Sequence, residues 1–457
     1  MPLIPLLPDL DPSATVAYYR GNAISRGVFL AHILAVAEKL PHQSKVLNMC
    51  ADRYAFAVAL FAAIVKESIT VLPNSGAPGH LAAVAAEHPG LLLLSDKVAG
   101  DQGSTSVANL ACIDVDDYLL DMQLATAPIP SIEFDQPIAY VYTSGSTGSP
   151  RAHCKTFGRV RLNILAGAER LWRVTGGACS VLGTTPIRHM YGLESSILLP
   201  IFGGGCLSAQ IPFFPADVVR CLEQLPAPRL LVSTPFHLRK LIEADIALPA
   251  VAAVLSATAS LSGELAMQVT QRLGCPVIEI YGSTETGQMA MRFPCESEIW
   301  ETLAGVELKV ESTIDGDEAW AHGVIHALPQ LINDVVELIS PTRFRLIDRK
   351  ANIINVAGKR NSLSCLNATI AALPGVVDAV FFVPRHEAGA EIERLAAFVV
   401  APGLSRSDVL AQLRAHVDPV FLPRPLIFVD ALPRDGNGKI QAAALQNLIA
   451  QHSASRV

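Results

Sequence analysis

The run Tyr142-Thr143-Ser144-Gly145-Ser146-Thr147-Gly148-Ser149-Pro150-Arg151 holds the densest concentration of potential chemistry in the chain. Ser144 to Gly148 carry three hydroxyls and two glycines, and a cation follows at Arg151. Glycines let the backbone turn its N–H groups toward an anion, and Ser and Thr hydroxyls add donors. The composition is that of a phosphate-wrapping loop. A Walker loop needs Lys directly after its last glycine, whereas Gly148 is followed by Ser149-Pro150-Arg151, so a P-loop kinase is excluded. A flexible linker could share the composition, but three further motifs follow in a definite order.

Tyr281-Gly282-Ser283-Thr284-Glu285-Thr286-Gly287 sets hydroxyls around one carboxylate. A carboxylate beside polyphosphate makes chemical sense with a hard cation between them, so Glu285 is a candidate Mg²⁺ ligand and Thr284 a phosphate donor. Asp334, in Leu331-Ile332-Asn333-Asp334-Val335, precedes Arg349 by fifteen residues. A carboxylate there can accept both hydroxyls of a ribose. In Pro433-Arg434-Asp435-Gly436-Asn437-Gly438-Lys439, glycines hold Lys439 at a loop tip. Its ammonium is a compact point charge suited to phosphate and carboxylate oxygens.

The elements around these motifs must place them. Gly27 to Leu40 shows apolar residues at helical spacing, and the apolar run from Tyr54 to Val65 reads as a buried helix. Short apolar strands are expected at Ile69 to Leu72, Leu91 to Leu94, Ile138 to Val141, Leu230 to Val232, Val251 to Leu255 and Val277 to Ile280. Most run straight into polar loops. Alternating helices and buried strands predict α/β layering with largely parallel sheets, whose ligands sit at the carboxyl ends of strands. The character changes at Asp348-Arg349-Lys350, and the last hundred or so residues form their own unit. Strands are expected there at Val376 to Val383 and Leu395 to Val400, with an amphipathic helix at Ser407 to His416.

Bulk properties bound the function. The chain has 457 residues, more than one ordinary core, with 51% hydrophobic and 17% charged residues. A net charge of −7 gives no global attraction for nucleic acid, so an anionic ligand needs a local site. Nine cysteines without a C-x-x-C pair predict reduced thiols in a cytoplasmic protein rather than a zinc or redox site. The N-terminal segment lacks a basic region, so no signal peptide is expected, and no apolar stretch is long enough to span a bilayer.

Together, in this order and spacing, the four motifs resemble the acyl-adenylate-forming superfamily of acyl-CoA synthetases, aryl-acid ligases, adenylation domains and luciferases. The resemblance covers nearly the whole chain. Within that superfamily, Pro150-Arg151-Ala152-His153-Cys154-Lys155-Thr156 looks most like the stand-alone ligases of aryl-polyene and xanthomonadin-type pigment clusters. The resemblance implies an N-terminal adenylation domain, residues 1–348, and a small mobile α+β lid, residues 349–457. It implies ATP and Mg²⁺ as cofactors. Thr143 and the Ser144-Gly145-Ser146-Thr147-Gly148 loop would wrap the β- and γ-phosphates. Thr284 would contact phosphate, Glu285 would hold Mg²⁺, and Asp334 with Arg349 would bind ribose. Ser256-Ala257-Thr258 and Tyr281-Gly282-Ser283 would enclose adenine, and Lys439 would bridge the attacking carboxylate and the α-phosphate. His189, Tyr191 and Gly192 match an aromatic gate beside an acid pocket completed by Pro235 and Phe236. After lid rotation about residues 349–351, Asn355, Gly358 and Arg360 would face a pantetheine thiol.

This sequence departs from the family pattern at three places. Arg151 replaces the usual Lys, Ala351 stands where the hinge Asp or Lys would be with Lys350 one position early, and Ser256-Ala257-Thr258-Ala259 is poorer in glycine. The implied reaction is ATP-dependent activation of a carboxylic acid with pyrophosphate release. Transfer follows to the thiol of an acyl carrier protein or CoA. A small aryl acid such as 3- or 4-hydroxybenzoate is the expected substrate. A medium-chain fatty acid is the rival, and a non-catalytic acyl-adenylate-binding protein the alternative of another class.

Overall fold

A computed structural model describes residues 2–73, 78–97, 110–120, 128–144, 150–313, 316–326, 328–349, 353–356, 359–384, 395–434 and 440–454. These divide into two compact units: Met1–Lys309 with Trp320–Gln330 and Ile339–Phe344, and Val310–Ala319 with Leu331–Leu338 and Arg345–Val457.

Two sheets dominate the first unit. One has six strands in the order Pro150–Thr156, Pro137–Ser144, Ile69–Leu72, Lys45–Asn48, Leu92–Ser95, Cys112–Asp114. All pairs in it are parallel except the hairpin of Pro137–Ser144 with Pro150–Thr156. The other sheet has a parallel core of Val277–Ser283, Ala253–Ser256, Arg229–Ser233, Ser180–Gly183, Cys206–Ser208 and Thr15–Tyr19. Antiparallel strands flank it: Gly287–Arg292 with Ile299–Thr302 on one side and Asn22–Ser25 on the other. Leu230, Leu231, Val232, Val254 and Leu255 are all fully buried. Continuous apolar runs of this kind are what strands covered on both faces require. The α/β class with largely parallel sheets is therefore the one the chain adopts.

The helix Arg53–Val65 is apolar on every side because it is buried on every side, from Tyr54 to Ile64. Asp52 caps it, accepting from the N–H groups of Tyr54 at 2.7 Å and Ala55 at 3.1 Å. Arg53 is wholly buried, yet its guanidinium is met by the carbonyls of Ser208 at 2.9 Å and Gly183 at 3.0 Å. A second group of helices, Pro215–Glu223, Pro235–Glu243 and Gly263–Leu273, packs Val218, Leu222, Leu238, Leu241, Leu265 and Val269 against Leu231 and Val254 of the parallel core.

In the second unit, Asp378–Phe382 pairs antiparallel with Ala396–Val400, which pairs parallel with Leu426–Phe428. Leu366, Ile370, Val409 and Leu413, from the helices Leu363–Ala371 and Arg406–Arg414, close over Phe381, Ala397 and Val399. The unit is thus α+β. Among the described residues no helix is long and apolar enough to cross a membrane. All nine cysteines are free thiols.

Candidate active site

The expected phosphate loop joins the strands Pro137–Ser144 and Pro150–Thr156, in which Ser144 pairs with Pro150 and Thr143 with Arg151. Residues 145–149, and with them Gly145, Ser146, Thr147 and Gly148, lie outside the described residues. What the structure shows is a hairpin whose second strand continues through Arg151, His153 and Lys155, residues two apart and so on one face.

That face meets the second motif. Tyr281, Gly282 and Ser283 are the end of the strand Val277–Ser283 rather than a turn, and the chain reverses over Thr284–Thr286 into Gly287–Arg292. The glycines explain the displacement. A Cβ on Gly282 would stand 2.1 Å from the Gly287 carbonyl oxygen, so only glycine lets the strands approach this closely. Gly287 turns the corner at φ +69°. The tip is pinned internally: Ser283 N–H donates to Thr286 Oγ1 at 3.0 Å, and Thr286 N–H to Ser283 Oγ at 3.2 Å. Tyr281 is buried against Trp300 and Phe344, with ring centroids 5.5 and 5.6 Å away.

Glu285 leaves this tip toward His153, whose Nε2 is 3.6 Å from Glu285 Oε1. Lys155 Nζ donates to the Glu285 carbonyl at 3.1 Å. Burial opposes ionisation of the Glu285 carboxyl. Hydrogen bonds from its own backbone and from Ser283, with His153 and Lys155 nearby, nevertheless bring it below its ordinary value. Burial also lowers the pKa of His153, against the pull of Glu285. An ionised, partly exposed carboxylate is the donor a hard cation requires. Among the described residues no three His, Cys, Asp or Glu side chains gather as a metal cage. Mg²⁺ needs none, since it binds through one or two carboxylates with phosphate oxygens and water. The residues present therefore fit the metal.

Beside this hairpin, Ser256 ends the strand Ala253–Ser256 and pairs with both Ser233 and Glu279. Ala257 is buried, and Thr258 is held at φ +78°. Ser256 Oγ and Thr258 Oγ1 are buried with no hydrogen-bond partner among the described residues. Buried polar atoms are ordinarily satisfied, so two orphans at the carboxyl end of one strand mark a place for a polar ligand. The less glycine-rich loop still presents hydroxyls at this position.

His189 caps the helix Met190–Leu193, its Nδ1 accepting from Tyr191 N–H at 3.3 Å. Tyr191 is buried and donates its hydroxyl to the Leu255 carbonyl at 2.8 Å, tying this helix to the strand that ends in Ser256. Gly192 is required because a Cβ there would lie 2.1 Å from the Pro186 carbonyl oxygen. The helix then widens to i+5 bonding over Glu194–Leu198, a form often found at functional sites. Pro235 and Phe236 open the helix Pro235–Glu243, which Thr234 caps. A small pocket beside that helix is lined in part by Thr184, Phe213, Ser233 and His237, not by Pro235 or Phe236.

Asp334 and Arg349 belong to the second unit, as the first residue of the strand Asp334–Ser340 and the last of its neighbour Arg343–Arg349. In so tight a hairpin both fall at its open end. Asn355 pairs with Arg360 across another hairpin of that unit, while Gly358 lies outside the described residues. Lys439 lies outside them too, in a loop whose ends meet at the bridge Arg434–Ile440. Arg434 holds Asp378 through both carboxylate oxygens at 2.9 Å.

Three polar residues of the first unit carry no expectation from the sequence: His153, Lys155 and Glu194. Glu194 is 5% exposed, and burial pushes its carboxyl up to about 7 against the opposing effect of Lys155. Burial likewise lowers the pKa of Lys155, while Glu194 and Glu285 hold it up. The available signal was the period-two spacing of Arg151, His153 and Lys155 in a strand leaving a phosphate loop.

Residues 19–316 match the AMP-binding enzyme family and residues 366–439 its C-terminal domain. The chain belongs to the AMP-binding enzyme family, and it is an adenylate-forming ligase. It is 24% identical to the 4-chlorobenzoate–CoA ligase of Arthrobacter over 70% of this chain and 68% of that one. It is 26% identical to the 4-coumarate–CoA ligase of Cereibacter sphaeroides over 65% and 69%. Its fold is that of ATP-bound MatB from Rhodopseudomonas palustris, with a TM-score of 0.81, 18% identity and 96% of each chain covered. It is also that of the o-succinylbenzoate CoA synthetase of Bacillus subtilis, with a TM-score of 0.80 at 18% identity and the same coverage.

Proposed function

We propose that the chain activates a small aryl acid, such as 3- or 4-hydroxybenzoate, as its acyl-adenylate and passes the acyl group to a phosphopantetheine thiol. The observation that carries the nucleotide half is that Glu285, in the turn after Val277–Ser283, and the orphaned Ser256 and Thr258 hydroxyls, at and just past the end of Ala253–Ser256, follow the carboxyl ends of neighbouring strands. Two relatives named for aryl acids, 4-chlorobenzoate and 4-coumarate, support the substrate class. So does the likeness of Pro150–Thr156 to pigment-cluster ligases. CoA is the acceptor those relatives name, and a carrier protein is the other.

A carboxylate is a poor electrophile. Its oxygen attacks the α-phosphorus of ATP, the bond to the β-phosphate oxygen breaks, and pyrophosphate leaves with the displaced charge. The protein positions anions and neutralises that charge. Residues 144–148 wrap the β- and γ-phosphates, Thr284 donates to phosphate, and Glu285 holds Mg²⁺, which screens phosphate charge when bound. Ser256, Ala257, Thr258, Tyr281 and Gly282 enclose adenine, and Asp334 and Arg349 take the ribose. The acid sits behind His189, against Tyr191, Gly192, Pro235 and Phe236. Lys439 bridges its carboxylate to the α-phosphate. The lid, residues 349–457, then rotates, removing Lys439 and presenting Asn355, Gly358 and Arg360 to the thiol. The thiolate attacks the acyl carbon, the bond to the phosphate oxygen breaks, and AMP departs.

Acid-dependent pyrophosphate release across aryl and aliphatic acids, with CoA and a carrier protein as acceptors, tests the reading. Hydroxybenzoates should give the highest kcat/KM. A medium-chain fatty acid outperforming every aryl acid refutes the substrate class, and no signal from any acid leaves a nucleotide-binding protein without turnover.

A further inference from the structure

The hairpin tip that carries Glu285 rests on polar groups from three other elements. Lys155, from the strand leaving the phosphate loop, donates to the Glu285 carbonyl at 3.1 Å. Glu194, at the start of the widened helical turn behind the gate, has its Oε1 2.8 Å from where a Gly287 Cβ would stand. Asn163, from the helix Phe157–Thr175, donates to the Gln288 carbonyl at 2.7 Å. Lys155 and Glu194 also interact electrostatically, each opposing the effect of burial on the other. Arg173–Glu169, Arg220–Asp217 and Lys240–Glu243 are by contrast exposed pairs within single helices.

We propose that Lys155 and Glu194 are a positioning pair that fixes the Glu285 turn and thereby sets affinity for Mg·nucleotide rather than for the acid. The inference rests on Glu285 as the metal carboxylate. Lys155 touches the main chain of the metal-binding residue, not its carboxylate, so its ammonium orients Glu285 without competing with the cation. Glu194 supports the other end of the same turn, its carboxylate lying against Gly287. Because Lys155 sits in the strand that leaves the phosphate loop, the pair also ties the phosphate-binding hairpin to the metal-binding one.

The test compares wild type, Lys155→Met and Lys155→Met/Glu194→Gln as full-length proteins. Calorimetry with α,β-methylene-ATP, with and without Mg²⁺, reads binding without turnover. Pyrophosphate release gives KM for Mg·ATP and for the acid. Both variants should lose roughly 10- to 100-fold in Mg·nucleotide affinity, the range typical of residues that orient a metal ligand. Metal-free nucleotide binding and the KM for the acid should stay put. The double variant carries no stranded buried charge, so its melting temperature should recover while its Mg·nucleotide affinity does not. Wild-type Mg·nucleotide affinity in either variant overturns the proposal, as does equal weakening of metal-free binding. Wild-type protein whose nucleotide binding ignores Mg²⁺ overturns the assignment of Glu285 as well.

Discussion

Gly282→Ala offers a direct test of how the Glu285 turn is built. The added Cβ would meet the Gly287 carbonyl oxygen at 2.1 Å, its carbon at 2.9 Å and Gln288 Cα at 3.0 Å. All three are backbone atoms of the partner strand, so no side chain can swing aside. Ordinary contact would require the two strands to separate by roughly an ångström at the point where Ser283 pairs with Gly287. Forced overpacking of this kind costs about 1–3 kcal/mol. Misplacement by ~1 Å of a positioning group can cost on the order of 10²-fold in rate. The variant should therefore melt a few degrees lower yet remain folded, and its kcat/KM for Mg·ATP should fall by about two orders of magnitude. Pyrophosphate release under varied Mg·ATP, with a thermal melt, measures both. A variant that melts lower but keeps wild-type kcat/KM would show that the hairpin tip does not position the nucleotide chemistry.

Lys439→Ala should abolish acyl-adenylate formation yet spare thioester formation from supplied acyl-AMP, and equal loss of both half-reactions would remove the two-state lid. Glu285→Ala should raise the Mg²⁺ concentration needed for half-maximal pyrophosphate release, and an unchanged Mg²⁺ titration would rule it out as a ligand. Asp52 is pushed from 3.8 to about 6 by burial, with Asp96 adding to the rise and the N–H groups of Ala55 and Tyr54 opposing it. The folded state thus holds that proton more tightly than the unfolded chain, and the stability it confers is lost as pH rises through about 6. At ~1.4 kcal/mol per pH unit the effect is bounded near 3 kcal/mol. Asp52→Asn, which keeps a cap oxygen, should flatten the stability profile between pH 4 and 7, as followed by urea denaturation.

Much of the fold was legible because buried parallel strands advertise themselves. Ile69 to Leu72, Leu230 to Val232 and Val277 to Ile280 lie inside observed strands, each largely apolar because it is covered on both faces, with the buried Glu279 paired to Arg292. Errors fell at strand ends. Ser256 and Gly282 read as loop or turn residues, but each is inside a strand, because hydrogen bonding to a neighbour continues past the last apolar side chain. The helix Phe157–Thr175 escaped notice because arginines and Glu169 punctuate it, although Val160, Ile164, Ala168 and Leu171 mark a single buried stripe. The hydroxyls of Ser256 and Thr258 were legible as candidates, but their lack of partners was not. Satisfaction is a property of what surrounds an atom, not of its residue type.

The polar support beneath Glu285 shows where sequence reasoning loses its grip. A lysine in a strand ordinarily means a solvated face, and a glutamate in a helix ordinarily means the same. Lys155 is half-buried and Glu194 buried where a hairpin from far downstream, Glu285 to Gly287, folds against them. No local pattern encodes that crossing. Yet desolvation makes each charge costly without the other. A half-buried cation bonded to the main chain of a carboxylate-bearing turn is therefore poorly explained as stability alone, since a pair of apolar residues would hold the same strands together at less cost. Retaining the pair makes physical sense if the direction of Glu285 matters. Comparing Lys155→Met with its double variant separates these two accounts, because stability returns when both charges go and the direction of Glu285 does not.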